Sequence, residues 1–389
     1  MLNNPFSVYI LSFAAVLAAY LLGWSNIYPP LSDDMLSFFG WSFAIAGVLG
    51  FAMHGWVRRA KPAKSGLPWW ISYVLVIGYM IDMASAGGVP LLMVMRGAEF
   101  EYTEFGIPVL HVLVVTFGTA FAAIRFSDFL RARLMRYLID AFIPVVFSIL
   151  TVSRGGAIAI VLSFFFVWMV QHKKLGIIGW VCVTLIAASG MQAFGVLGEA
   201  RSPDVIKDIG QPNSRFEHAH VPESYFWGYI YFTSPLANFQ NTVDASYRPN
   251  GSVAEFVVAE LLPDTISKRV LDAWGVQRED LARISPVLNA SSIYSKAYSY
   301  LEWAGVYTMF AALSLLIVGY TFLIRRTRFA VPGIALLNSI VALCIFENML
   351  SQTGVIGALA WPFVLSSIPM KRDLSGVLSQ HLAANGVDT

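Results

Sequence analysis

This sequence is short of charge. Asp, Glu, Lys and Arg make up 13% of its 389 residues, against roughly a quarter in a soluble domain, too little to coat a water-facing surface. Cysteine is nearly absent. Cys182 and Cys344 both lie in apolar runs, which excludes a disulfide framework and leaves no metal-ligand spacing. No phosphate-cradling loop or dinucleotide fingerprint is present, so no nucleotide-binding domain is expected. No internal repeat, low-complexity tract or inverted-repeat symmetry is visible, which counts against a secondary transporter. The first apolar run, Phe6 to Trp24, lacks a basic flank and a small-residue cleavage site, and reads as a span rather than a cleaved signal.

What the chain has instead is apolar length. Hydrophobic residues make up 57% of it and the mean hydropathy is +0.64. A helix must stay apolar for about 20 residues to cross the hydrocarbon core. Ten stretches approach this: 6–24, 35–57, 68–85, 105–124, 137–153, 155–171, 175–194, 299–324, 329–349 and 353–370. A tight turn at Ser153-Arg154-Gly155-Gly156 separates the fifth from the sixth. Basic residues alternate with these stretches, in the groups Arg58/Arg59/Lys61/Lys64, Arg125/Arg131/Arg133/Arg136, Lys173/Lys174, Arg325/Arg326/Arg328 and Lys371/Arg372. Fifteen of the 26 Lys and Arg thus fall on one side, which the positive-inside rule makes cytoplasmic. The expected fold is all-α: a polytopic transmembrane bundle of about ten spans with both termini cytoplasmic. Residues 1–194 form its N-terminal part, 195–298 a long extracytoplasmic loop with interfacial or re-entrant helices, 299–370 the last spans and 371–389 a cytoplasmic tail.

Ionisable groups within the spans are few. His54 lies near a cytoplasmic end, and Asp82, His111, Glu302 and Glu347 near external ends. This is no ladder of buried carboxylates such as a proton-coupled pump requires. Asp82 and Glu347 read as bundle-facing acids held by hydrogen bonds or as functional groups. Arg154, fixed between two spans, reads as a headgroup anchor or as a guanidinium whose planar fork binds phosphate oxygens. The stretch Tyr225-Phe226-Trp227-Gly228-Tyr229-Ile230-Tyr231-Phe232 reads as an interfacial aromatic belt or as a platform for sugar stacking. Ser234-Pro235 then predicts an N-cap and first residue of a short helix through Asn238 and Gln240. In the approach to the eighth span, Asn289 to Gly305, Tyr298 and Glu302 are spaced i,i+4 and share a helix face. Glu302 reads as a general base for an acceptor hydroxyl or as a solvated interfacial acid. Val253 to Leu262, carrying Glu255 and Glu260, is too short to span and predicts an interfacial or re-entrant helix. His218 and His220 have no third ligand at suitable spacing, so no metal is expected.

Four short traits, in order along these spans, carry a resemblance. They are Gly87-Gly88-Val89-Pro90-Leu91-Leu92, Ser153-Arg154-Gly155, Tyr231-Phe232-Thr233-Ser234-Pro235-Leu236, and the sequence Asn289…Tyr294…Glu302…Gly305. In these and in its topology the chain resembles bacterial O-antigen polymerases of the Wzy type, which are oligosaccharide repeat-unit polymerases. Where family members often carry aspartate, this chain has Glu302. The resemblance implies a GT-C-like membrane glycosyltransferase of the bacterial inner membrane with a periplasmic active site. Its substrate would be an undecaprenyl-pyrophosphate-linked oligosaccharide, moved en bloc onto the sugar hydroxyl of a lipid-linked repeat unit. It implies no cofactor and no nucleic acid; its partners would be membrane lipid and a chain-length regulator protein. Arg154, Arg215, Arg248 and Arg96 are the candidates for pyrophosphate, with Tyr231, Asn289 and Tyr294 contacting substrate. Glu302 is the candidate for activating the acceptor, with His218 or His220 in its place. An O-antigen ligase acting on lipid A core shares these features, and a lipid-linked glycan transporter is the alternative of another class.

Overall fold

The structure is a computed structural model that describes residues 3–97, 105–172, 205–245 and 251–368, with isolated positions between 176 and 196. The expected seventh span therefore lies largely outside the described residues, as do Arg248 and the C-terminal tail. Among the described residues there is no strand, only an isolated bridge pairing Ser25 with Pro212. The helices are α1 (Pro5–Tyr20), α2 (Asp33–Arg58), α3 (Ile71–Ser85), α4 (Pro90–Met95), α5 (Pro108–Ala132), α6 (Met135–Leu150) and α7 (Arg154–His172). Then come α8 (Val205–Gly210), α9 (Ser214–His218), α10 (Ser224–Asp244), α11 (Val253–Phe256) and a π-turn at Val257–Leu261. Last are α12 (Asp264–Trp274), α13 (Ser295–Ile324), α14 (Ala330–Leu343), α15 (Thr353–Ile356) and α16 (Ala360–Ser367).

Local chemistry sets many of these boundaries. The Asn4 side chain caps α1 ahead of Pro5, and Ser32 caps α2, whose first turn carries Asp33 and Asp34 and whose last carries Arg58. Gly87 and Gly88 both have positive φ, the turn that Pro90 needs to open α4. One expectation is corrected here. Pro235 does not open a helix but lies inside α10, a single helix that begins at Ser224.

Among the described residues, four helices, α2, α5, α7 and α13, are long and apolar enough to cross a membrane. α1, α3, α14 and the Thr353–Ser367 stretch are apolar but shorter. The expected span over 329–349 ends as a helix at Leu343, and that over 353–370 is broken into three short pieces. The chain is thus a helical protein of membrane type. Its outer faces agree: Trp41, Val48 and Phe51 on α2, and Tyr73, Ile77 and Met80 on α3, are exposed, an apolar surface that water would penalise. α14 is the opposite case, buried from Ala330 through Val341 on every side, as a helix apolar all round must be.

Charged side chains mark one end of the bundle. Arg325 at the foot of α13 lies over Trp56 of α2 at 4.4 Å, and Arg328 donates to the Leu365 and Ile368 carbonyls at the end of α16. Arg125, expected with the surface charges, is instead drawn inside. It is 2% exposed, between Asp128 (3.7 Å) and Asp140 (3.4 Å), and donates to the carbonyls of Leu67 and Pro68. Asp82 is likewise buried. It accepts from the Ile107 amide and pairs with His111 Nδ1 at 2.7 Å, joining α3 to α5. A hydrogen-bonded, bundle-facing acid is the reading this supports.

Candidate functional site

Of the segment 205–298, the described parts, 205–245 and 251–298, fold back onto the bundle end opposite Arg325, and α10 organises them. Asn238, fully buried, donates to the carbonyls of Leu288 and Ala290 (2.6 and 2.7 Å) and accepts from the Ile284 amide (2.9 Å). Asn289 is left between two clamped carbonyls with its own side chain exposed. Two residues on, the Gln240 side chain accepts from the Ser32 amide at the start of α2 and donates through its Nε2 to Asp244. Most of the aromatic stretch turns inward rather than outward. Phe226, Trp227 and Tyr229 are buried, and Tyr229 packs against Trp24 and Tyr28 of the α1–α2 connection. Tyr231 is the exception, 44% exposed and stacked on Trp227.

α13 is not one helix. Leu301 (φ −138°, ψ 21°) and Glu302 (φ 50°, ψ −140°) leave helical geometry, so the expected i,i+4 alignment of Tyr298 with Glu302 is broken by a kink. A non-glycine residue in this region carries about 1–3 kcal/mol of strain. Gly305 is what the kink requires: a Cβ there would meet the Ala297 carbonyl oxygen at 2.1 Å. The kink turns the Glu302 side chain out of the packing, where it is exposed. Tyr298 lies within electrostatic reach of three carboxylates, Glu302 of α13, Asp34 of α2 and Asp244 of α10. Beneath them Trp303 meets Tyr298 edge-on at 5.5 Å, and both contact Phe239. Exposed carboxylates near the half-buried rings of Tyr298 and Trp303 suit a polyhydroxylated ligand, since carboxylates accept from hydroxyls while rings cover C–H faces. Sequence reading did not single out Asp34 or Asp244 for this site; only the tertiary fold brings them within electrostatic reach of Tyr298.

The other expected residues are dispersed. Arg154 opens α7 and is exposed. The turn before it holds Val152 at φ 59°, an outlier for a β-branched residue, so this arginine too sits on a strained, rigid connection. Arg96 caps α4 and is exposed; Arg215 on α9 reaches the Gly23 backbone, where an added Cβ would meet Nη1 at 2.8 Å. His218 and His220 are exposed, with Nδ1 facing the local carbonyls of Ser214 and Glu217. Among the described residues, no hydrogen bond or ion pair joins Arg154, Arg96 or Arg215 to Glu302, and no His/Cys/Asp/Glu group is arranged for a metal. Tyr294, expected to touch substrate, is instead sealed in the core. It is fully buried and donates to Tyr9, which donates in turn to Ser42. It ties α13 to α1 and α2, and so positions the kink rather than contacting a ligand. Comparison with protein-family models, with curated proteins and with solved structures finds no match.

Proposed function

We propose that the chain is a polysaccharide polymerase of the bacterial inner membrane, which transfers a growing glycan from undecaprenyl pyrophosphate to a lipid-linked repeat unit. In this reading the bundle is GT-C-like with about ten spans, the basic end is cytoplasmic and the Glu302 end is periplasmic. The observation that carries it is Glu302 itself: an exposed carboxylate fixed by a strained break in a long apolar helix, next to Trp303 and within electrostatic reach of Tyr298, as Asp34 and Asp244 also are. Strain of this kind is retained where the surrounding fold imposes it, and it concentrates at functional sites.

The chemistry follows from the groups present. The acceptor hydroxyl attacks the anomeric carbon of the donor glycan, and the bond from that carbon to the pyrophosphate oxygen breaks. Glu302 takes the hydroxyl proton as the new glycosidic bond forms. The departing diphosphate gains negative charge, which a guanidinium neutralises without titrating. Arg154, on its rigid turn, is the first choice for this, with Arg215, Arg96 and Arg248 as the others. A chain-length regulator would act from outside this site.

The test is the glycan ladder of a deletion strain complemented at matched expression. Deletion should collapse the ladder to core plus one repeat. Wild type should restore it, whereas Arg154→Ala and Glu302→Gln should restore about a hundredth or less of the polymer, the loss expected for one charge-stabilising group. Unattached polymer on deletion would mean a ligase, and an unchanged ladder would remove the polymerase reading.

A further inference from the structure

A second acid lies apart from Glu302, where the extramembrane segment meets the end of α14. Glu260 sits in the π-turn that follows α11, a geometry that inserts a residue and often marks functional positions. It is 2% exposed. The Asn348 side chain donates to both its backbone carbonyl (2.8 Å) and its carboxyl Oε2 (2.9 Å). Two further bonds run between the same segments: the Asp264 amide to the Ser351 carbonyl (2.7 Å) and the Thr265 amide to Thr353 Oγ1 (3.2 Å). Residues 257–267 are thus pinned to the turn at 346–353 by one buried carboxyl and a few exposed bonds.

The charges around Glu260 do not balance. Lys296 from α13 is paired with Glu347 at 3.5 Å, and Arg278 with Asp264 at 2.8 Å, so both nearby cations already have carboxylates. Tyr300 contributes a neutral hydroxyl, held by the Glu279 amide. An ionised Glu260, itself buried, makes this half-buried group net negative; a protonated one makes it neutral. The neutral carboxyl still accepts the Asn348 amide on Oε2. We propose that Glu260 is a proton-operated latch: protonated, it holds 257–267 against the 346–353 turn, and ionised, it releases that contact.

Burial pushes the Glu260 carboxyl above the usual carboxylate range; Lys296, the Asn348 amide and Arg278 act against this, and Glu347 adds to it. The sign follows. The docked segment holds its proton more tightly than the released segment, whose carboxyl has its ordinary affinity. Docking is therefore fully favoured below the ordinary carboxylate range and is lost as pH rises through the raised, docked value. Lys296, paired with Glu347, lies on α13 ahead of the kink at Glu302, but the latch stands on its own contacts whatever the site does.

Hydrogen–deuterium exchange of the full-length protein in lipid nanodiscs, between pH 4.5 and 8 and corrected for intrinsic exchange, tests this. In wild type the opening equilibrium of 257–267 should rise about tenfold per pH unit within the window, the slope of one released proton. Glu260→Gln should stay protected with no such slope, and Glu347→Gln should move the midpoint to lower pH. A wild-type profile that is flat, or one that Glu260→Gln leaves unchanged, overturns the latch.

Discussion

Arg125→Met should destabilise the protein by about 3–5 kcal/mol, the cost of leaving a buried charge without its partner. Here two carboxylates are orphaned at once. Arg125 lies 3.7 Å from Asp128 and 3.4 Å from Asp140, and its guanidinium sits over the rings of Phe121 and Tyr137. It also satisfies the carbonyls of Leu67 and Pro68, so its loss frees the connection that follows α2 as well as α6. Asp128 keeps the Ser65 amide and hydroxyl, but two hydrogen bonds do not neutralise a buried charge. Lysine should rescue only partly, because a point charge cannot reach two acids and two carbonyls with one planar fork. Adding Asp128→Asn and Asp140→Asn to Arg125→Met should recover most of the loss, since the penalty lies in the unpaired charges. Thermal denaturation in detergent, read by tryptophan fluorescence, checks the series. A Met variant as stable as wild type would show that the buried charges are not coupled to folding.

Arg125 also shows where the sequence was legible. The four long apolar helices follow from a local requirement, about 20 apolar residues in a row, and a reader of the sequence finds them. The face that a given residue presents depends on how its helix is rotated against its neighbours, and the pattern of α5 does not reveal this. Arg125 therefore read as one more basic residue at a membrane edge, when it is the centre of a buried cluster. The aromatic stretch failed similarly. A belt, a sugar platform and a packed core all call for aromatic rings, and only the α1–α2 connection lying against α10 decides for the core. The kink was invisible for a different reason. Residues 299–324 contain no proline, and Gly305 alone marks the break through a contact eight residues back, with the Ala297 carbonyl. What the sequence could offer was Glu302 as a rare acid in an apolar helix, and the structure places that residue, exposed, at the kink.

Three substitutions at Glu302 should separate its backbone from its carboxylate. Glu302→Gly removes the Cβ from a residue at φ 50° and ψ −140° and should stabilise the protein by about 1 kcal/mol, the strain relieved less glycine's added entropy in the unfolded chain. Glu302→Ala and Glu302→Gln keep the strained backbone and should leave stability nearly unchanged. All three should abolish polymer if the carboxylate takes the acceptor proton, so the glycine variant would be the more stable and the inactive one at once. Gly305→Ala should act from the other side. Its methyl would lie 2.1 Å from the Ala297 carbonyl oxygen, a backbone atom that cannot swing away, so the kink must open and the protein lose both stability and activity. Melting temperature and glycan ladder, measured on the same four variants, distinguish the possibilities. A glycine variant that gains no stability would mean the strain is compensated elsewhere. One that gains stability and keeps its ladder would mean that the Glu302 carboxylate serves neither structure nor chemistry, and the acceptor-activating role would pass to Asp34, Asp244 or the histidines of the loop.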